Sequence, residues 1–211
     1  MIITALKPAR QSRVVLVMDN GEEFLIDKGI WEESPFGVDS SLSRSQMEEL
    51  LASSQRRRVH NKALYLLSKR DYSRKELEQR LCREGGRYVA ENREAAAEAA
   101  AAMEDYGYVN DQTYAELLAR RYCWEKCYPH RRAEQVLCEK GIARAVAAEA
   151  VKTIEKEDWQ LALEFLRKKR YTVSESHEQT ERVAAALARY GFSHDAVRRA
   201  LTAFSEEENN D

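Results

Sequence analysis

The sequence predicts a mainly α-helical protein: three tandem three-helix, helix-turn-helix-like repeats in an elongated curved array, preceded by a small N-terminal β-hairpin or sheet. Three observations predict it. Leu81-Cys82-Arg83-Glu84-Gly85 returns as Leu137-Cys138-Glu139-Lys140-Gly141 and again as Leu187-Ala188-Arg189-Tyr190-Gly191, with the glycines 56 and 50 residues apart (141 minus 85, 191 minus 141). A period of that size marks tandem helical units. From about residue 58 apolar side chains recur at helical spacing, whereas the segment up to Ile26 is β-branched and punctuated by turn residues. Charged residues make up 33% of the 211, above the usual quarter or so, which suits units that bury a face only against their neighbours.

Residues 1–57 are expected to hold the sheet and one helix. Arg13 to Met18 and Glu22 to Ile26 flank Asn20-Gly21, whose two residues can supply the positive φ pair of a type I′ hairpin. Ile2 to Leu6 is a candidate third strand. A lone hairpin is marginal in water, so the helix after Ser43, with Met47, Leu50 and Leu51, is expected to cover it. Repeat 1 is 58–109. Ala63, Leu66 and Leu67 line its first helix, which ends near Arg70. Ser73 and Glu76 form a capping box for the second, Gly85 or Gly86 is its C′ residue, and Ala95 to Met103 is an alanine-rich third helix. Repeat 2 is 110–157. Asp111 is the expected N-cap, with Tyr114, Leu117 and Leu118 as the apolar positions. Pro129 is suited to the first turn of its second helix, Gly141 ends that helix, and Ile142, Val146, Ala150 and Ile154 form the third stripe. Repeat 3 is 158–205. It carries Trp159, Leu163 and Leu166, then Val183 and Leu187 ending at Gly191, then Ser193 capping a helix with Ala196, Val197, Ala200 and Phe204. Tyr171 to Glu178 is a longer loop, and 206–211 is an acidic tail.

Composition and motifs narrow the function. The net charge of −2 excludes a general polyanion binder, although 56–157 is slightly basic and the two flanking segments are acid-rich. No stretch has the length and apolarity of a membrane helix, and the start lacks a signal-peptide pattern. The four cysteines, Cys82, Cys123, Cys127 and Cys138, include no C-x-x-C pair. They read as free thiols of a cytoplasmic protein, packed as small hydrophobes. Cys123, Cys127 and His130 could approach a metal, but they lack a fourth ligand and knuckle spacing. No metal, cofactor or catalytic residue is assigned, because His60, His130, His177 and His194 are scattered and no nucleotide or hydrolase motif is present. The expectation is a non-enzyme.

Arg70-x-x-Ser73-x-x-Glu76-Leu77-x-x-x-Leu81 before glycine, Gly107-Tyr108-Val109-Asn110-Asp111-x-x-Tyr114-Ala115, and Leu137-Cys138-Glu139-Lys140-Gly141-Ile142 follow the N-terminal hairpin in order. Together they resemble the bacterial regulatory protein RecX family over nearly the whole chain. Lys126-Cys127-Tyr128-Pro129 keeps the proline of a family turn and lacks its glycines. The resemblance implies a cytoplasmic, monomeric modulator that binds the RecA nucleoprotein filament. Such a protein restrains strand exchange, ATP hydrolysis and co-protease activity, and so damps homologous recombination and the SOS response to DNA damage. A helix-turn-helix-like DNA-binding regulator acting without RecA is the alternative, and a bare helical scaffold the third reading.

The partner- and DNA-binding candidates are the basic groups that recur at helix ends. They are Arg56, Arg57 and Arg58; Lys69 and Arg70; Arg120 and Arg121; His130, Arg131 and Arg132; and Lys168, Lys169 and Arg170. Tyr122 and Trp124 interleave with Arg120 and Arg121 as aromatic anchors. The expectation is a basic ridge touching RecA and, weakly, DNA. Compensation of helix dipoles explains the same placement without a partner. The glycines are read as architectural elements rather than contacts.

Overall fold

β2 (Arg13–Met18) is the centre of an antiparallel sheet, with β1 (Ile3–Ala9) on one side and β3 (Glu23–Asp27) on the other. Lys7 pairs with Val15 and Val15 with Leu25, while Leu6 pairs with Leu16 and Leu16 with Phe24. Alternation puts Leu16, Met18 and Ile26 on one face. There they pack with Ile3, Trp31, Leu42, Met47 and Leu50. The positive-φ pair expected at Asn20-Gly21 lies elsewhere. Gln11 and Ser12 (φ 60 and 51) turn β1 into β2, whereas only Gly21 (φ 82) is left-handed between β2 and β3. The second loop is longer than two residues because the Asn20 side chain accepts the Glu22 N–H and the Gly21 N–H bonds to the Met18 carbonyl.

The computed structural model describes residues 1–83, 89–171 and 177–208. The expected helix end at Gly85 or Gly86, most of the Tyr171 to Glu178 loop and the last three residues of the acidic tail lie outside them. After a short α1 (Lys28–Glu33), α2 runs unbroken over Arg44–Leu67, started by a Ser43/Gln46 capping box. It holds neither glycine nor proline, so nothing stops it between the sheet and the first repeat. One helix therefore covers the sheet with Met47 and Leu50 and carries Ala63 and Leu66 in its later half. The other helices are α3 (Arg74–Arg83), α4 (Val89–Asp105), α5 (Asp111–Arg120), α6 (His130–Glu139), α7 (Arg144–Lys152), α8 (Asp158–Lys169), α9 (His177–Tyr190) and α10 (His194–Glu208), with a π-helical turn, Arg121–Glu125, continuing α5. The mainly helical class with a small N-terminal sheet is as the sequence predicts. No helix among the described residues is long and apolar enough to cross a membrane.

The chain forms two compact bodies, Met1–Asp71 with Leu77–Val109, and Tyr72–Glu76 with Asn110–Asp211. In the second, the cores of the last two repeats are continuous. Leu118, Leu137, Ala147, Leu161, Leu166, Leu187 and Ala200 belong to one buried cluster, as expected where each unit completes its core with its neighbour.

Candidate interaction site

The second body is built on a repeated joint. Asn110, not Asp111, caps α5 by accepting the Thr113 N–H at 3.0 Å. Asp111 instead accepts the Arg74 N–H at 2.8 Å, at the start of α3. Asp158, which opens α8, does the same for the His130 N–H of α6 at 2.9 Å. Each acid opens the first helix of one unit and satisfies an orphan donor of the previous unit's second helix. It also places negative charge at that helix's positive end.

The repeated glycines belong to the same joints, so they are contacts as well as helix ends. Gly141 (φ 85) lies so close to Lys75 that an added Cβ would sit 2.7 Å from the Lys75 Cβ. The Ser73 hydroxyl accepts the Glu76 N–H and donates to the Lys140 carbonyl. Lys140 and Glu76 pair at 3.7 Å. Gly191 (φ 111) meets Pro129 and Arg132 more loosely, at 3.5 and 3.8 Å. Arg132 donates to the Tyr190 carbonyl at 2.7 Å and lies between the Tyr128 and Tyr190 rings, 4.2 and 4.3 Å from their centres. A serine in one joint and an arginine in the next thus meet the terminal carbonyls of the following unit's second helix.

These joints occupy several of the basic candidates. Arg132 is a structural wedge. His130 has its backbone capped and its Nδ1 3.6 Å from Asp158. Lys168 donates to the Trp124 and Glu125 carbonyls at 2.8 and 3.0 Å, closing the end of the π-helical turn. Arg170 ends α8 in a left-handed conformation (φ 53). Tyr122 stacks on Tyr128 with ring centres 5.4 Å apart, and burial pushes its phenol above the usual value. In the first body, Arg57 pairs with Glu33 at 2.8 Å and approaches Asp27 at 3.5 Å. Its guanidinium lies against Gly29, so it fastens α1 to α2. Arg56 donates to Ser53, and Arg70 to the Asp71 carbonyl. Arg58, Arg120, Arg131 and Lys169 are exposed and have no acid partner among the described residues.

Of the remaining candidates in the second body, Arg120, Arg121 and Trp124 share one face. Thr113, Glu116, Leu117, Arg120, Arg121, Trp124 and Glu125 line a shallow groove along α5 and the π-helical turn. Leu117 is 50% exposed and Trp124 48%, unusual for side chains of that size. The sequence spacing suggests Leu117 points inward with Tyr114 and Leu118. In fact Tyr114 and Leu118 are buried, and Leu117 faces out beside the arginines. The available signal is the run Leu117, Arg120, Arg121, Trp124, which itself has helical spacing. The π-helical turn separates the adjacent Cys123, fully buried, from Trp124. Its wider ring is closed by the Lys126 N–H to the Arg121 carbonyl.

Cys123 and Cys127 are buried, and Cys127 leaves the helix at φ 52 in the loop that lacks the family glycines. Burial pushes the Cys123 thiol up to about 12 and that of Cys127 above its ordinary value. Both are protonated, packed thiols at neutral pH. Among the described residues, no three His, Cys, Asp or Glu side chains gather as a metal site.

Units joined through helix-end contacts, following an N-terminal sheet in sequence, define a tandem three-helix-repeat protein. Residues 155–201 match the family model described as RecX, third three-helix domain. Regulatory protein RecX of Stenotrophomonas maltophilia is 37% identical over 142 residues, 66% of this chain and 82% of the relative. That of Halorhodospira halophila is 32% identical over 154 residues, 71% and 90% of the two chains. A RecX regulatory protein of Clostridioides difficile is 25% identical across 95% of this chain and 94% of its own. A crystal structure of regulatory protein RecX shares the fold with a TM-score of 0.65 at 17% identity, covering 93% of this chain and 97% of that one. RecX from Lactobacillus salivarius aligns with a TM-score of 0.60 at 22% identity, over 72% and 98%. The chain belongs to the RecX family of regulatory proteins.

Proposed function

We propose that this chain is a non-enzymatic modulator of RecA that binds the RecA–DNA filament and restrains strand exchange and ATP hydrolysis. It acts as a cytoplasmic monomer without a cofactor, and so damps recombination and the damage response. Its repeat units are 58–109, 110–157 and 158–205, and it meets RecA through the outer face of α5 and the π-helical turn. Family membership supports the regulatory role. The observation that carries the contact is the pairing of two half-exposed large apolar side chains, Leu117 and Trp124, with Arg120 and Arg121. Tryptophan and arginine are the residue types that most often dominate binding energy at protein interfaces.

The DNA-binding alternative needs a basic, accessible recognition helix. α4 carries five acids and one arginine. Both arginines of α10 are engaged, Arg198 with Asp195 and Arg199 with Glu157. The helices at that position therefore favour the RecA reading. Titrating the purified protein, from substoichiometric to equimolar, into RecA of the same organism on single-stranded DNA tests it. The expected result is a progressive fall in ATP hydrolysis. An unchanged rate throughout contradicts the proposal, and salt-dependent, sequence-specific duplex binding without RecA supports the alternative.

A further inference from the structure

With about half of its side chain exposed, Trp124 has no core pocket to hold its indole. The direction of the ring is therefore set by the backbone beneath it, the π-helical turn Arg121–Glu125. Such turns occur as single interruptions of α-helices, frequently at functional places. This one also ends abruptly. Cys127 is left-handed (φ 52), and Pro129, two residues on, has no N–H to offer a carbonyl.

A helix leaves its last carbonyls without intrahelical partners. Here the following chain satisfies two of them: the Lys126 N–H donates to the Arg121 carbonyl and the Tyr128 N–H to the Tyr122 carbonyl. The Trp124 and Glu125 carbonyls are met from α8, within the same body. The Lys168 ammonium donates to them at 2.8 and 3.0 Å, from 44 and 43 residues away in sequence. The Cys127 thiol adds only a long contact of 4.0 Å to the Trp124 carbonyl. A cation at this place faces the negative end of the helix dipole, and hydrogen bonds from a charged donor are stronger than neutral ones. Glu164, one turn earlier on α8, pairs with Lys156. Lys168 has no acid partner among the described residues, so its charge serves the two carbonyls.

We infer that Lys168 is a positioning residue for the α5 face: from the end of α8 it clamps the π-helical turn and so holds Trp124 outward beside Arg120 and Arg121. A lysine that reads in sequence as a surface contact thus acts through a tryptophan on another helix. The contact face carried by α5 then depends on α8 as well as on its own residues. What the clamp does for RecA rests on the α5 reading; the clamp itself does not.

The test compares the full chain with three variants of matched circular dichroism. Lys168→Met keeps the stem and removes the donors, Lys168→Arg can again donate to two carbonyls, and Lys169→Met removes the same charge one residue away. Hydrogen–deuterium exchange read by mass spectrometry follows the amides of 121–128 without any recombinase. Lys168→Met is expected to exchange about tenfold faster there, with α6 and α7 unchanged. Lys168→Arg restores protection, and Lys169→Met keeps the wild-type rate. In RecA ATP hydrolysis on single-stranded DNA, Lys168→Met then requires about tenfold more protein for half-inhibition, because a face in place a tenth of the time binds with a tenth of the affinity. Lys168→Arg restores inhibition. Wild-type exchange at 121–128 in Lys168→Met overturns the inference, as does an equal change in Lys169→Met. Faster exchange with undiminished inhibition supports the clamp and counts against the α5 reading instead.

Discussion

Asp111 and Asn110 show why neighbouring polar residues are hard to assign from sequence. Either side chain can cap a helix, and only the position of α3 decides that Asn110 serves its own helix while Asp111 serves another. Asp111→Ala is therefore expected to lower stability by roughly 0.5–2 kcal/mol in urea denaturation, with Asp111→Asn, which keeps an acceptor, much closer to wild type. A loss confined to Asn110→Ala, with Asp111→Ala neutral, would contradict the joint. Gly141 and Gly191 form a second comparison. Both have positive φ, where a Cβ costs roughly 1–2 kcal/mol. At Gly141 the new methyl would also sit 2.7 Å from Lys75 Cβ, against 3.5 Å from Pro129 at Gly191. Gly141→Ala is expected to destabilise more than Gly191→Ala, as measured by thermal melting. Cys123 gives a pH dependence. Its folded thiol, at about 12, lies above the ordinary value near 8.5, so folding favours the protonated form. Its stabilisation is complete below about pH 8.5 and is lost as pH rises toward 12. Wild type should thus lose stability relative to Cys123→Ala across that alkaline range, and parallel curves would refute the assignment.

Among the elements, the joints between second helices explain the dispersal of the basic candidates. Basic doublets at helix ends look alike in sequence, yet the fold divides Arg131 and Arg132 into an exposed and a structural member. Arg132 is wedged between two tyrosines and bonded to a carbonyl, and Arg131 points to solvent. Arg132→Ala is expected to cost about 2 kcal/mol, and Arg131→Ala less than about 0.5 kcal/mol, by chemical denaturation. Equal losses would contradict the division. The helices themselves were legible because their apolar periodicity, caps and glycines agree. What was not legible depends on contacts distant in sequence. The continuity of α2 across the expected boundary at 57/58, the π-helical turn that parts Cys123 from Trp124, and the outward side of Leu117 are of this kind. A leucine at helical spacing reads as core unless the partner helix is known to miss it.

At the scale of the whole molecule, the period of the Leu-x-x-x-Gly segments conveys the mainly helical class and tandem units, and the quoted motifs carry the family resemblance. The proposed contact surface was only partly visible, because charge at helix ends serves both stability and binding, and exposure alone tells them apart. The central claim is that the protein restrains RecA through the outer face of α5. The most direct measurement is single-stranded-DNA-dependent ATP hydrolysis by RecA, comparing wild type with the triple variant Arg120→Glu, Arg121→Glu, Trp124→Ala at matched concentration and unchanged circular dichroism. The account predicts that wild type slows hydrolysis and that the variant leaves RecA near its uninhibited rate. Full inhibition by the folded variant would contradict it.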